Sequence, residues 1–167
     1  MSDFGVESAR GYFAIGAERM SKSLNLGNLM RSAHAFGAAF TFTVGAPYSA
    51  LEAYADTSRS AQHLPHYDWR TLDDMAFPRG CLLVGVELLD DAIELPRFHH
   101  PARAAYVLGP EKGSLSPELL ARCDATLKIP TRFCVNAAVA GAIVMYDRFV
   151  SRRPVERLPS LQSIRPK

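Results

Sequence analysis

Asn25-Leu26-Gly27-Asn28-Leu29-Met30-Arg31 gathers an amide, a glycine and a guanidinium in one heptapeptide, where a loop turns into an amphipathic helix. Asn25 suits an N-cap, because its side-chain oxygen can accept from the unpaired N–H groups of a first turn. Gly27 leaves room for a ligand or a second backbone. Leu29, Met30, Ala33, Phe36 and Gly37 recur at helical spacing, which places Arg31 one turn inside a buried helix. A guanidinium there needs an anionic or hydrogen-bonding partner, because burying it unpaired costs on the order of several kcal/mol. The plainer alternative is a capped helix carrying a surface arginine.

Two later stretches have the same character. Tyr106-Val107-Leu108-Gly109-Pro110-Glu111-Lys112-Gly113-Ser114-Leu115 is an apolar strand that stops in a Gly/Pro turn carrying one acid. Ile129-Pro130-Thr131-Arg132-Phe133-Cys134-Val135-Asn136 leads into a run of small apolar residues ending at Asp147. Taken in order, the three stretches resemble the signature motifs of the SpoU (TrmH-like) RNA ribose 2′-O-methyltransferases: N-x-G-x-x-x-R, then an L-G-x-E-x-x-G-L turn, then I-P followed by S-L-N. The resemblance covers about residues 11–150.

That resemblance implies an α/β fold with a parallel sheet, a carboxy-terminal part threaded as a trefoil knot, and a homodimer. It implies S-adenosylmethionine as methyl donor, no metal, and RNA as substrate, with transfer RNA favoured over ribosomal RNA because the domain is minimal. Arg31 matches the catalytic arginine. Its pKa above ~12 makes it a poor base, so its first role is to orient phosphate and stabilise a developing alkoxide. Asn25, Glu111 and Asn136 match the other motif residues, as holders of loop and arginine or as plain structural groups. The cofactor cleft is expected from Gly85 and Val86, from Leu108, Gly109 and Gly113, and from Ile129, Cys134 and Val135. Cys134 stands where the family commonly has serine, a weaker hydrogen-bond donor in its place. The third-motif loop is also a few residues short. An RNA-binding protein without turnover and a base-directed methyltransferase of the same superfamily remain open alternatives.

Composition fits an enzyme of this size. With 167 residues, 48% hydrophobic, the chain suggests one domain with a sufficient core. It divides into an extension at 1–10, the methyltransferase domain at 11–150 and a basic tail at 151–167. The acidic amino terminus has no secretory h-region and no apolar run reaches membrane-spanning length, so a cytoplasmic protein with no membrane partner is expected. Cys81, Cys123 and Cys134 are too scattered for a disulfide or zinc framework and read as buried thiols. His63 and His66 read as loop residues rather than metal ligands. Formal net charge is only +2, but from Arg148 to Lys167 six basic residues face the single acid Glu156. Such a tail could follow RNA phosphates or be merely solvated. Arg19, Lys22, Arg31 and Arg59 are further candidates for RNA contact; Tyr67 and Trp69 read as packing, with base stacking as the alternative.

These groups must be positioned by alternating strands and helices. Strands are expected at 12–15, 40–44, 81–86, 104–108 and 125–129, and helices at 28–36, 116–123 and 135–150. Short helical stretches are possible at 49–54 and 71–76. Short, nearly all-apolar strands separated by helices imply a parallel sheet covered on both faces. The last helix presents Val135, Val139, Ala142, Ile143, Tyr146 and Phe149 on one face and small apolar residues on the other, so burial on two sides is expected.

Overall fold

A computed structural model describes residues 11–47 and 64–152. The expected helix at 49–54, His63, Arg59 and the tail beyond Arg152 lie outside the described residues. The strands are β1 (Tyr12–Glu18), β2 (Phe40–Val44), β3 (His66–Trp69), β4 (Leu82–Val86), β5 (Ile93–Glu94), β6 (Arg103–Leu108) and β7 (Ala125–Lys128). The helices are α1 (Ser23–Ala35), α2 (Pro117–Leu120) and α3 (Ala137–Ser151), with 3₁₀ turns at Leu72–Asp74 and Leu95–Arg97. All pairings are parallel, in the order β3-β2-β1-β6-β4-β7-β5.

Alternation along the strands builds two cores. Phe13, Ile15 and Ala17 of β1 and Tyr106 and Leu108 of β6 face α1 and α3, meeting Leu26, Leu29, Val144 and Met145. Ala14, Phe42, Ala105 and Val107 face the opposite side, toward Leu119 of α2 and the rings of Trp69 and Phe77. Period-2 side-chain alternation makes both faces apolar, as a sheet covered by two layers requires. Gly141 is where α3 comes down on the first core. A Cβ there would lie 2.4 Å from Leu29 Cδ1 and 3.3 Å from Ile15 Cδ1.

Several expectations need correction. α1 begins at Ser23, so Asn25 and Gly27 lie inside the helix, and Asn25 is not its N-cap; Lys22 holds that position without a side-chain cap. Arg31 is exposed on the outer side of α1, because the buried stripe is Leu26, Leu29, Met30 and Ala33. His66 is no loop residue: it opens edge strand β3, with Nδ1 2.8 Å from Thr41 Oγ1 and Nε2 3.0 Å from Asp68 Oδ1. Trp69 packs on Phe42 and Phe77, and half-exposed Tyr67 stacks on Trp69. α2 keeps the Ser116 cap, accepting from Leu119 N at 3.2 Å, but stops at Leu120, where Arg122 N and Cys123 N turn back to the carbonyls of Leu119 and Leu120. Cys81, Cys123 and Cys134 are free, but none is fully buried and Cys134 is exposed.

Among the described residues, α3 is covered on one side only. Ala138, Gly141, Val144 and Met145 form its buried face, whereas Val139, Tyr146 and Val150 are 49%, 60% and 51% exposed. Arg148, counted above with the basic tail, is 4% exposed. Its guanidinium donates to Pro101 O (2.7 Å), Tyr106 Oη (3.1 Å), Tyr12 O (3.2 Å) and Ala102 O (3.0 Å). A charge so placed is satisfied by the protein and unavailable to phosphate. None of the described helices is long and apolar enough to cross a membrane.

Candidate active site at the carboxyl edge of the sheet

Strands β6, β4 and β7 are adjacent and parallel, so the loops that follow them emerge side by side along one edge. In open α/β sheets that edge is where ligands bind, because the chain leaves a crevice between diverging loops. Here the loops enclose a cleft of about 390 Å³. That volume falls within the ordinary range for small-molecule sites.

Seven of the residues expected to hold a cofactor line it: Val86, Leu108, Gly109, Gly113, Ile129, Cys134 and Val135. Gly85 does not. It lies one residue earlier on β4 and faces the opposite core, where a Cβ would meet Cys123 Sγ at 3.2 Å and Leu115 Cδ1 at 3.3 Å.

Asn25, Glu111 and Asn136 also line the cleft, and hydrogen bonds join them into one chain. Glu111 Oε1 accepts from Asn25 Nδ2 (2.8 Å) and Lys22 N (3.1 Å), while Oε2 accepts from Ser21 N and Ser21 Oγ, each at 2.9 Å. Asn136 Nδ2 donates to Asn25 Oδ1 at 3.0 Å, and its own Oδ1 caps α3 by accepting from Ala138 N (2.9 Å) and Val139 N (3.3 Å). Glu111 thus ties down the two residues that precede α1, with its negative charge at the positive end of the helix. Partial burial alone would raise its carboxyl; the donors from Ser21 and Asn25 outweigh that and hold it down at about 2.

Arg31 is the motif residue the structure leaves outside this group. It is six residues beyond Asn25, about 9 Å further along α1 and well round the helix. It makes no hydrogen bond or ion pair to a described residue.

The sequence reading missed Glu87 and Leu88, which line the cleft, and Glu18, which braces it, and it named Lys22, which also lines the cleft, only as an RNA contact. Glu18 is 4% exposed and accepts from Ser116 N (2.7 Å) and Ser116 Oγ (2.5 Å). Glu87 accepts from Leu115 N at 2.8 Å. Glu87 thus holds the last residue of the second motif and Glu18 the residue after it. One signal was available: each acid stands at the carboxyl end of an apolar run, Tyr12 to Ala17 and Leu82 to Val86, where a parallel sheet builds its sites.

Comparison with known proteins agrees with this geometry. A curated relative from mouse (Mus musculus), the tRNA (guanosine(18)-2'-O)-methyltransferase TARBP1, is 26% identical over 140 residues, which is 78% of this chain and 9% of that protein. The SpoU methyltransferase AviRb from Streptomyces viridochromogenes, solved in complex with AdoMet, superposes with a TM-score of 0.77 at 22% identity, covering 86% of this chain and 58% of that one. The A. aeolicus TrmH/SpoU tRNA modifying enzyme gives a TM-score of 0.67 at 17% identity, covering 87% and 77%. At these identities the structures share the fold. The model of the SpoU rRNA Methylase family matches residues 12–146, a span that takes in every strand of the sheet and all three cleft loops, and the chain belongs to that family.

Proposed function

We propose that this chain transfers a methyl group from S-adenosylmethionine to the 2′-hydroxyl of an RNA ribose, with transfer RNA as the favoured substrate. One observation carries the reading: the residues matching the three motifs, Asn25, Glu111 and Asn136, form a single hydrogen-bonded chain in the wall of the cleft. The mouse relative, named for 2′-O-methylation of a transfer-RNA guanosine, supports ribose over base.

The residues present fit the cofactor. Val86, Leu108 and Ile129 offer apolar walls for a purine, Gly109 and Gly113 leave backbone exposed, and Lys22 supplies a cation for a carboxylate. When bound, the cofactor supplies a methyl group on a positively charged sulfonium, whose leaving group is a neutral thioether. Glu111, kept ionised by its donors, clamps Asn25; Asn25 in turn holds Asn136, so α1 and the loops after β6 and β7 keep one spacing during the reaction. Such prepaid positioning is how a protein lowers the barrier of an in-line displacement. Arg31 is assigned to the RNA phosphate and to the charge developing on the ribose oxygen. Its place on the outer side of α1 favours action in a neighbouring subunit's site. The apolar stripe Val139, Tyr146 and Val150 supports a homodimer. The reading also carries the family's trefoil knot.

The test is incubation with methyl-labelled S-adenosylmethionine and RNA from cells lacking the protein, followed by nucleoside mapping. Label in a 2′-O-methyl nucleoside is the expected result. Label in a base would make it a base methyltransferase; binding of RNA without label would leave an RNA-binding protein without turnover.

A further inference from the structure

Two carboxylates line the cleft, and the protein uses them unequally. A carboxylate has about four acceptor positions. Glu111 accepts four donors and is full. Glu87 accepts two, one on each oxygen: Leu88 N on Oε1 at 2.9 Å and Leu115 N on Oε2 at 2.8 Å. Those bonds fix the side chain and leave one acceptor position on each oxygen. Gly109 stands beside it, where a Cβ would lie 3.3 Å from Glu87 Oε2 and 3.2 Å from Leu115 N. Having no side chain, Gly109 keeps that flank of the carboxylate clear.

Resting on the function proposed above, we propose that Glu87 binds the cofactor's ribose, accepting one hydrogen bond from each of its vicinal hydroxyls. Two free positions side by side on a fixed carboxylate match two donors on neighbouring carbons. The placement along the cleft agrees. Lys22, Asn25 and Glu111 form a polar end beside β1 and β6, suited to the amino-acid half of the cofactor and to the transfer itself. Glu87 follows β4, one strand further over, among Val86, Leu88 and Ile129, which suit the adenosine half.

The experiment is calorimetric titration of the full chain with S-adenosylhomocysteine, 5′-methylthioadenosine, and the 2′-deoxy and 3′-deoxy forms of methylthioadenosine. Methylthioadenosine carries the ribose but no amino-acid ammonium. For the unaltered protein, loss of either hydroxyl is expected to weaken binding by about ten- to a hundredfold, as for hydrogen bonds to a charged acceptor. In Glu87→Ala the ribo and deoxy compounds should bind within about twofold of each other. Glu87→Gln, which retains one oxygen and is the gentler change should the alanine variant not fold, should lose discrimination at one hydroxyl only. Undiminished discrimination in either variant overturns the proposal. So does a loss seen with S-adenosylhomocysteine but not with methylthioadenosine, which would place the ammonium on Glu87. If none of the four compounds binds the unaltered protein, the cofactor assignment itself falls.

Discussion

Glu111→Gln tests the joint between the second motif and α1. The carboxyl lies at about 2 instead of its ordinary 4.5, and that gap corresponds to at most about 3 kcal/mol of folded-state stabilisation. Water reaches this half-buried group and screens it, so about 1–2 kcal/mol is the working figure. For a chain of this length that is a fall in Tm of about 2–8 °C at pH 7. The sign follows from linkage. A carboxyl whose folded pKa is depressed gives stability that is present above its unfolded value, near 4.5, and lost as pH falls toward 2. Other carboxylates titrate in both proteins and cancel in the difference. Thermal melts of the pair from pH 7 down to pH 2.5 should therefore show a gap that is constant above about pH 5 and closes below it. A gap that stays constant through the acid range, or widens, would refute the assignment of the clamp to Glu111.

Arg31→Ala should lower the single-turnover rate on RNA by ~10² to 10³ while calorimetry in chelator finds cofactor affinity unchanged. Mixing Arg31→Ala subunits with Asn136→Ala subunits should restore activity if the arginine serves the neighbouring site, and no recovery would confine it to its own chain. Tyr146→Glu, on the exposed face of α3, should shift light scattering from twice the chain mass to one chain mass with little change in circular dichroism; an unchanged dimer would exclude this face. Arg148→Met removes one donor from each of the carbonyls of Tyr12, Pro101 and Ala102 and from Tyr106 Oη, and should destabilise by about 2–4 kcal/mol in denaturant titration. A loss below about 0.5 kcal/mol would mean that water replaces it.

The sequence by itself determined the class of fold and the ingredients of the site. Runs such as Leu82 to Val86 and Ala104 to Leu108 are apolar at every position, which only a strand covered on both faces tolerates, and the helices between them make the sheet parallel. Local capping chemistry was legible where the cap is local, as with Ser116 before Pro117. β3 and β5 were not, because edge strands of four and two residues carry too little alternation to separate them from loop.

Tertiary structure decided which groups meet. Asn25 has the composition of an N-cap, yet it lies inside α1, the residues before the helix are held by Glu111, 90 residues away from Ser21, and the asparagine is freed to join Asn136. Arg31 and Arg148 are both arginines on amphipathic helices. The apolar spacing around Arg31 suggested burial, and the basic neighbours of Arg148 suggested exposure. The structure buries Arg148, which falls where four backbone and hydroxyl acceptors converge at the start of β1 and β6, and takes the surface alternative for Arg31, which falls on the side of α1 that meets no acceptor among the described residues. Burial of a charge depends on partners supplied by distant segments, and residue spacing along one helix carries no information about them.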